Sequence, residues 1–456
     1  MVAFEARPFA ADPGADAPAL GNRAAARELP VLLFGIALLV LGNGLQGTLL
    51  GVRATAEGFS QETIGLIMSA YFAGFVGGSL IGPALIARAG HIRTFAALAS
   101  LASIATLAHV LIIDPFSWGV FRAANGAAYA GLVMVAESWL NATATRRTRG
   151  RILAIYGLVM LGAWSGSQWL LLIADPNGFA LFCLVSILIS ASLIPLSLSR
   201  VEAPRDPAPE RVGLRRLFAI SPLGVAGCFL AGLAMSAFWG LGAVFAQGIG
   251  LDDRGTAAFM AATLAGAMAL QWPVGWLSDR FDRRSVIAAT CLANIVVSLA
   301  LFWLAPTGLA LLVPAAFLFG GLGIPVYSLC LAHANDFVAR REVVAASSAL
   351  LLVYGVGSMI GPLLCGLMMG RLGPQALFLF TALGLFAIAA VSVLRMLARP
   401  SVPPAAQQPF VAVPRTTHVS SDLDPRGEWP ADQADASEDG DQTSGFSATI
   451  TPSRSA

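Results

Sequence analysis

The sequence predicts an all-α membrane protein with twelve transmembrane helices arranged in two pseudo-symmetric six-helix bundles. Of its 456 residues, 57% are hydrophobic and only 12% are charged, a composition too apolar for a water-soluble surface. Residues 29–396 divide into about twelve apolar stretches, each near the ~20 residues that a helix needs to cross the hydrocarbon core. These stretches are continuous, whereas membrane-spanning strands would show short alternating segments. The third observation is that the two halves of this region repeat one another.

The apolar stretches give the expected helices in chain order. Their limits follow from charged, proline-rich or glycine-rich breaks between the runs. The twelve expected spans are residues 29–51, 63–86, 94–113, 116–140, 152–174, 179–198, 223–247, 256–277, 286–305, 309–334, 343–370 and 375–397.

The repeat sets the domain organisation. A shift of 192 residues places Gly58-Phe-Ser on Gly250-Leu-Asp and Arg88 on Arg280, as expected for two related halves. We therefore expect an N-terminal bundle at 29–198 and a C-terminal bundle at 218–399, joined by a cytoplasmic linker at 199–217. Parallel halves of this kind hold a solute at their interface near the middle of the bilayer.

The arginine distribution predicts the orientation in the membrane. If the amino terminus is cytoplasmic, the cytoplasmic loops between the spans hold sixteen arginines and the opposite loops only Arg53, Arg254 and Arg371. Because arginine-rich loops stay on the cytoplasmic side, we expect both termini in the cytoplasm. The sixteen are Arg88, Arg93, Arg146, Arg147, Arg149, Arg151, Arg200, Arg205, Arg211, Arg215, Arg216, Arg280, Arg283, Arg284, Arg340 and Arg341.

The two chain ends differ from the membrane region in composition. Residues 1–28 contain prolines and mixed charges but no apolar core of a signal peptide, so we expect a disordered cytoplasmic segment. Residues 400–456 are rich in proline, serine and acidic residues, a composition typical of disorder. We therefore expect a disordered acidic tail, which is either a solvated extension or a regulatory, partner-binding segment.

A charged decapeptide separates two apolar stretches of the second half. It resembles the signature loop G-x-L-x-D-R-x-x-R-R/K of the major facilitator superfamily of transporters, which joins the second and third helices of a half. The resemblance implies contacts with helix ends that form in one conformation and break in the other. The alternative is an arginine cluster that only sets topology. The decapeptide reads Gly275-Trp-Leu-Ser-Asp279-Arg280-Phe-Asp282-Arg283-Arg284.

The first half carries a weaker copy of this loop. It keeps Arg88, but Pro83 and Ala87 stand where the second half has glycine and aspartate. Without the acidic group, this copy can make fewer contacts with helix ends. We therefore expect an asymmetric conformational switch.

Arg122 lies in the predicted fourth helix, within Phe121-Arg-Ala-Ala-Asn125-Gly126. This segment resembles the R-x-x-x-G-x-G/A motif of the same superfamily, which implies a position at the central region. An arginine in hydrocarbon costs at least ~2.5 to 3.5 kcal/mol, so it should face protein or water. There it could bind an anion or control a proton relay. Alternatively, Arg122 lies shallow and reaches the outer membrane surface. The corresponding residue of the second half is Phe317.

Glu137 is the second ionisable residue of this helix. It follows Arg122 by 15 residues, so the two lie roughly 22 Å apart and cannot pair directly. A carboxylate withdrawn from water holds a proton more readily, which a proton-coupling site requires. A structural ion pair with Arg146, Arg147 or Arg149 fits equally well, and the sequence leaves both open.

Further motifs resemble the YcaD-like branch of the superfamily. They are Glu137-Ser-Trp-Leu-Asn, Gln271-Trp-Pro-Val-Gly275 and Tyr354-Gly-x-Gly-Ser-x2-Gly361-Pro362, and the likeness spans essentially residues 29–396. It implies a single-chain secondary transporter of the bacterial inner membrane.

Polar and aromatic residues within the spans are candidates for a central cavity, since polar side chains in lipid spans usually face the bundle interior. For the aromatic ones, packing or interfacial anchoring is the alternative. Besides Arg122 and Glu137, the candidates are Asn43, Gln46, Tyr129, Gln168, Trp239, Gln271 and Tyr327.

The sequence thus predicts a proton-coupled transporter of a small organic solute, amphipathic or anionic if Arg122 contacts it. A passive facilitator and a non-transporting sensor or scaffold are alternatives. We expect no enzymatic activity, cofactor or metal, because no catalytic set stands out and the five cysteines are scattered singly. The expected partners are a small-molecule substrate, protons and membrane lipid, without nucleic acid, and the chain is expected to be a monomer.

Overall fold

The computed structural model describes residues 22–145, 147–198, 213–305, 308–398, 400, 402–403 and 407–427. Over these ranges the secondary structure is helical and contains no strand. Short 3₁₀ helices occupy Leu170–Leu172, Arg340–Glu342 and His418–Leu423. The α-helices are α1 (Asn22–Ala56), α2 (Gln61–Ala89), α3 (His91–Leu111), α4 (Pro115–Thr143), α5 (Arg149–Trp169), α6 (Ala180–Leu198), α7 (Leu214–Ile220), α8 (Pro222–Gly248), α9 (Asp253–Arg280), α10 (Arg283–Leu304), α11 (Leu309–Gly323), α12 (Pro325–Asn335), α13 (Val343–Leu372) and α14 (Ala376–Ala398).

The predicted twelve-helix membrane fold is confirmed. Eleven spans in the described ranges are long and apolar enough to cross a membrane, and α4, with 29 residues, is the twelfth. It is less apolar because it carries Arg122, Asn125 and Glu137. One span combines α11 and α12, which are separated at Ile324, before a proline that has no amide hydrogen to donate. The seven-residue α7 lies between the halves.

The two halves share their internal packing. α2 packs on α4 as α9 packs on α11, and α1 packs on α5 and α6 as α8 packs on α13 and α14. Glycines permit both the α2–α4 and the α9–α11 contact: for example, a side chain at Gly74 would meet the carbonyl of Ala123, and one at Gly266 that of Phe317. Gly74 and Gly266 are 192 residues apart. Small residues let the helix backbones approach closely. In a membrane this packing drives helix association, because burying an apolar side chain away from apolar lipid gains little free energy.

The same shift relates the turns that begin α2 and α9. Gly58 and Gly250 both have positive φ, at 75° and 87°, a conformation that glycine adopts at low cost. Two residues later, Ser60 and Asp252 each accept a hydrogen bond from a backbone amide of the helix that follows. Such N-caps satisfy amides that have no partner within the helix. Local sequence therefore fixes where both helices begin.

The halves meet along α1 with α8, α2 with α13, and α5 with α9. We call the membrane face that carries Arg88, Arg149 and Arg283 the arginine-rich face. At the other face, α2 and α13 touch closely, because Gly65 lies against the carbonyl of Pro362 and Gly366 against that of Gln61. Towards the arginine-rich face the two helices separate around a cavity. The halves are therefore closed at one face and apart at the other.

The chain differs from the sequence expectations at three boundaries. Helix α1 begins at Asn22, inside the segment expected to be disordered, and residues 1–21 lie outside the described ranges. Within the expected linker 199–217, helix α7 begins at Leu214, while residues 199–212 are not described. In the tail, residues 407–427 pack on the protein and include a 3₁₀ helix, which composition did not predict. Residues 428–456 lie outside the described ranges.

Candidate functional site

A cavity of about 760 Å³ lies between the two halves. This volume falls in the range of sites that hold small organic molecules. Helices α1, α2, α4 and α5 form one wall, and α8, α9 and α13 form the other. The cavity extends from the middle of the helices to the arginine-rich face, where Ala84, Leu214 and Ala345 line it.

Arg122 is buried and lines this cavity. Its guanidinium carbon lies 4.2 Å from the centre of the Tyr71 ring, a contact in which the ring face attracts the cation. Nε and Nη1 are buried without a hydrogen-bond partner among the described residues. Within the described ranges no aspartate or glutamate lines the cavity. Arg122 therefore faces the protein interior and holds two buried donors without an acceptor among the described residues.

Aromatic side chains build the rest of the central region. Trp164 of α5 stacks on Trp239 of α8, with ring centroids 4.8 Å apart and planes 22° apart, so the pair joins the two halves. The Tyr71 hydroxyl donates to Asn43 Oδ1 at 3.1 Å. Phe75 lies between Tyr71 and Tyr129. A solute at the centre of this cavity would meet flat apolar faces beside the Arg122 cation.

The structure brings most of the predicted cavity residues together. Besides Arg122, the residues Asn43, Tyr129, Gln168 and Trp239 line the cavity. Gln168 also accepts a hydrogen bond from Thr48 at 2.5 Å.

Four predicted cavity residues lie outside the cavity lining: Glu137, which is described below, and Gln46, Tyr327 and Gln271. Gln46 is buried against α3, where it donates to Thr106 at 2.9 Å. Tyr327 is buried in the second half and packs edge-on against Tyr354. Gln271 is half-buried on α9 outside the cavity lining. Their polarity predicted a position in the cavity. The rotation of each helix and contacts with neighbouring helices instead turn these side chains away from it.

Glu137 is fully buried at the end of α4 near the arginine-rich face. Its Oε1 accepts a hydrogen bond from the Tyr156 hydroxyl at 2.7 Å. In the tail, the Thr416 hydroxyl donates to Oε1 and the Thr417 hydroxyl donates to Oε2. Arg149, one of the expected ion-pair partners, instead donates to backbone carbonyls of the tail. Three hydroxyls therefore hold this carboxylate.

The charged loop of the second half forms a buried ion pair. Arg283 Nη1 lies 3.1 Å from Asp336 Oδ1, and both side chains are 1% exposed. Asp279 accepts a second contact from Arg283 at 3.3 Å. Burial raises the pKa of Asp336 to about 6, although Arg283 acts in the opposite direction. Whether Asp336 is charged therefore depends on how deeply it is buried and on its contact with Arg283.

The other members of the loop contact helix ends and aromatic rings. Arg284 binds Asp282 at 2.8 Å and donates to the carbonyl of Arg395 near the end of α14 at 3.1 Å. The Arg280 guanidinium lies 3.7 Å from the Trp276 ring centre. In the first half, Arg88 is exposed at the end of α2. The two loops thus differ in burial as well as in sequence.

The tail residues at this site were missed by sequence reasoning. The acidic composition of 400–456 as a whole concealed a segment that holds Phe410, Val413, Val419 and Leu423. Three of these, Val413, Val419 and Leu423, are buried. A shorter composition window would have separated residues 407–427 from the rest of the tail.

Comparison with known proteins agrees with this architecture. The sequence profile of the Major Facilitator Superfamily matches residues 32–338. The uncharacterized MFS-type transporter YcaD of Escherichia coli O17:K52:H18 is 30% identical over 360 residues, covering 78% of this chain and 92% of the relative. The YcaD protein of Escherichia fergusonii is 28% identical over 359 residues, with the same coverage.

Solved structures share the fold at low sequence identity. The nucleoside transporter NupG aligns with a TM-score of 0.66 and 14% identity, covering 82% of this chain and 99% of NupG. A bacterial homologue of the human lysosomal transporter Spinster, in an inward-facing and occupied conformation, aligns with a TM-score of 0.66 and 16% identity. That match covers 84% of this chain and 98% of the homologue.

Proposed function

Because the chain belongs to the major facilitator superfamily, in its YcaD-like branch, we propose that it is a secondary active transporter of a small organic solute. The solute crosses the bacterial inner membrane by alternating access, coupled to protons. The observation that carries this proposal is the cavity between the halves, closed at one face and containing buried Arg122. Since arginine-rich loops remain inside, we infer that the arginine-rich face is cytoplasmic and that the cavity faces inward.

The site favours a solute with an anionic group and an apolar body. Buried N–H groups without a partner cost about 1–3 kcal/mol each, so Nε and Nη1 of Arg122 gain from an acceptor in the cavity. An oxygen of a carboxylate or phosphate can take a charge-assisted bond from either of these donors. Trp164 and Trp239 supply apolar faces for the rest of the molecule.

Glu137 is the proposed proton site. A protonated carboxyl would accept the three hydroxyl hydrogen bonds less strongly than a carboxylate, because bonds to charged acceptors are about twice as strong. Proton uptake would therefore loosen its contacts with Tyr156, Thr416 and Thr417. Weaker contacts at Glu137 would loosen packing at the arginine-rich face, where the two halves must move during transport.

A thermal-shift screen of the purified protein against amphipathic carboxylates and phosphates tests the solute class. We expect stabilising ligands whose effect disappears in Arg122→Gln, which is uncharged but still polar. Arg53→Gln is the matched control, because Arg53 pairs with Glu57 outside the cavity. If Arg122→Gln keeps every ligand response, the site assignment is wrong.

A passive facilitator is the second candidate, because hydroxyls of the tail and Tyr156 already occupy the Glu137 carboxylate. Transport of an identified ligand into proteoliposomes separates the two. A protonophore abolishes accumulation by a proton-coupled transporter and leaves facilitated equilibration unchanged. Glu137→Gln should reproduce the protonophore effect only in the first case.

A further inference from the structure

Residues 407–427, which we call the docked segment, contact the second half at its charged loop. The Gln408 amide donates to Asp336 Oδ1 at 3.0 Å, and the Gln408 carbonyl accepts from Arg283 at 2.7 Å. The Phe410 amide donates to Asp279 at 2.8 Å. The Phe410 ring lies against Gly275, where a side chain would collide with it. The docked segment thus uses the same Asp and Arg side chains as the proposed conformational switch.

The docked segment then crosses to the first half. Besides the bonds from its two threonines to Glu137, its Val419 carbonyl accepts from Asn141 at 2.9 Å. Arg149 donates to the carbonyls of Pro425 and Gly427 at 2.9 and 2.7 Å. Hydrogen bonds with charged groups stabilise more than those between neutral groups. Twenty-one residues of chain therefore bridge the two halves at the arginine-rich face.

This path also closes the cavity. Residues 415–418 line it on the arginine-rich side, and Arg415 lies 5.8 Å from the Tyr354 ring centre of α13. The 3₁₀ helix that follows packs against α4, α5 and α13. A solute moving from Arg122 to the arginine-rich face would meet this segment.

We propose that the docked segment is an autoinhibitory plug. It occupies the opening between α2 and α13 and ties α4 and α5 to the charged loop of the second half. While it is docked, a solute cannot pass to the arginine-rich face. The halves also cannot close there, because closure would displace the segment from Glu137 and Asp336. Release of the segment is then required for both solute exchange and the conformational cycle. Its regulatory meaning rests on the proposed transport function, whereas its docking does not.

Cysteine accessibility tests the plug without a known substrate. Ser348→Cys places a small thiol on α13 in the cavity lining, and its reaction with a water-soluble maleimide reports access. Ser197→Cys, exposed at the end of α6, is the matched control. The parent chain gives the background rate of its own five cysteines.

Deletion of residues 400–456 should speed labelling of Ser348→Cys by at least about tenfold, because a docked segment admits reagent only when it opens. Deletion of 428–456 alone should leave the rate unchanged, and a synthetic peptide of residues 407–427 should slow it again in the shorter chain. Ser197→Cys should react at one rate throughout, which also shows that the truncated chain remains folded.

A second variant in the full-length chain avoids truncation. Thr416→Val together with Thr417→Val removes two hydroxyls with little change in shape and should also speed labelling of Ser348→Cys. Equal rates in the full-length and truncated chains, or failure of the peptide to slow labelling, would overturn the plug. Because labelling requires no solute, this result is independent of whether the transport proposal survives.

Discussion

Glu137 and Thr417 are joined by a hydrogen bond although 280 residues separate them in the chain. Glu137 belongs to the first half and Thr417 to the segment that follows the second. The bond therefore connects the carboxylate that we propose as the proton site to the proposed plug. Protonation of this carboxylate and release of the segment would then favour each other.

Thr417→Val should weaken docking by about 1–3 kcal/mol, because one oxygen of buried Glu137 loses its donor. Hydrogen–deuterium exchange of the backbone amides in 407–427 measures the change as faster exchange. Ser420→Ala is the control, since Ser420 bonds only within the segment, to the Thr417 carbonyl at 2.8 Å. Similar exchange in both variants would show that the bond to Glu137 contributes nothing to docking.

Arg283→Gln should lower the free energy of unfolding by about 1 kcal/mol at pH 7 and by more at higher pH, because the variant must keep Asp336 protonated, and each pH unit above its pKa of about 6 then costs about 1.4 kcal/mol. Burial raises the pKa of Asp336 to about 6, above its value in the unfolded chain. The folded protein therefore retains this proton to higher pH, and stability falls as the pH rises towards 6. The cost of losing Arg283 should accordingly be small below pH 6 and large above it.

Thermal or denaturant unfolding across this pH range measures the effect. Arg216→Gln is the control, because Arg216 is 59% exposed in its bridge to Glu342, and such surface pairs contribute about 0–1 kcal/mol. A pH-independent loss in Arg283→Gln would contradict the assignment to Asp336.

Gly74→Ala should destabilise the first half strongly, because the new methyl group would collide with the Ala123 carbonyl on α4. Gly77→Ala, three residues later, has open space at the same helix. It should be neutral or stabilising by up to about 1 kcal/mol, the helix-propensity gain. Thermal unfolding of both variants in detergent solution measures the difference in stability. Equal stability would mean that α2 and α4 are not in close contact.

Tyr71→Leu should cost about 2 kcal/mol of stability, because desolvated Arg122 loses the ring that faces it. Tyr71→Phe keeps that ring and loses only the hydrogen bond to Asn43, so its cost should be about 1 kcal/mol. Thermal unfolding of both variants tests the order. If Phe is as harmful as Leu, the hydroxyl and not the ring supports Arg122.

Arg122 shows how far sequence reasoning could reach at the site. Its cost in hydrocarbon predicts that it faces protein or water, but the sequence could not distinguish the cavity from the membrane surface. The structure places it in the cavity because α4 packs on α2 through Gly74, which fixes the rotation of the helix. Gln46 and Tyr327 are polar residues within spans, like those that line the cavity, yet neighbouring helices bury them away from it.

The sequence by itself determined the fold class, the number of spans, the two repeated halves and the family. These features depend on apolar runs, helix caps and turns. Such signals arise from residues that are close in the sequence, as in the caps formed by Ser60 and Asp252. Only the tertiary structure decided the contacts of Glu137 and the position of the docked segment. Those contacts join residues far apart in the chain, and the docked segment makes them only with folded helices that offer both buried charges and apolar surface.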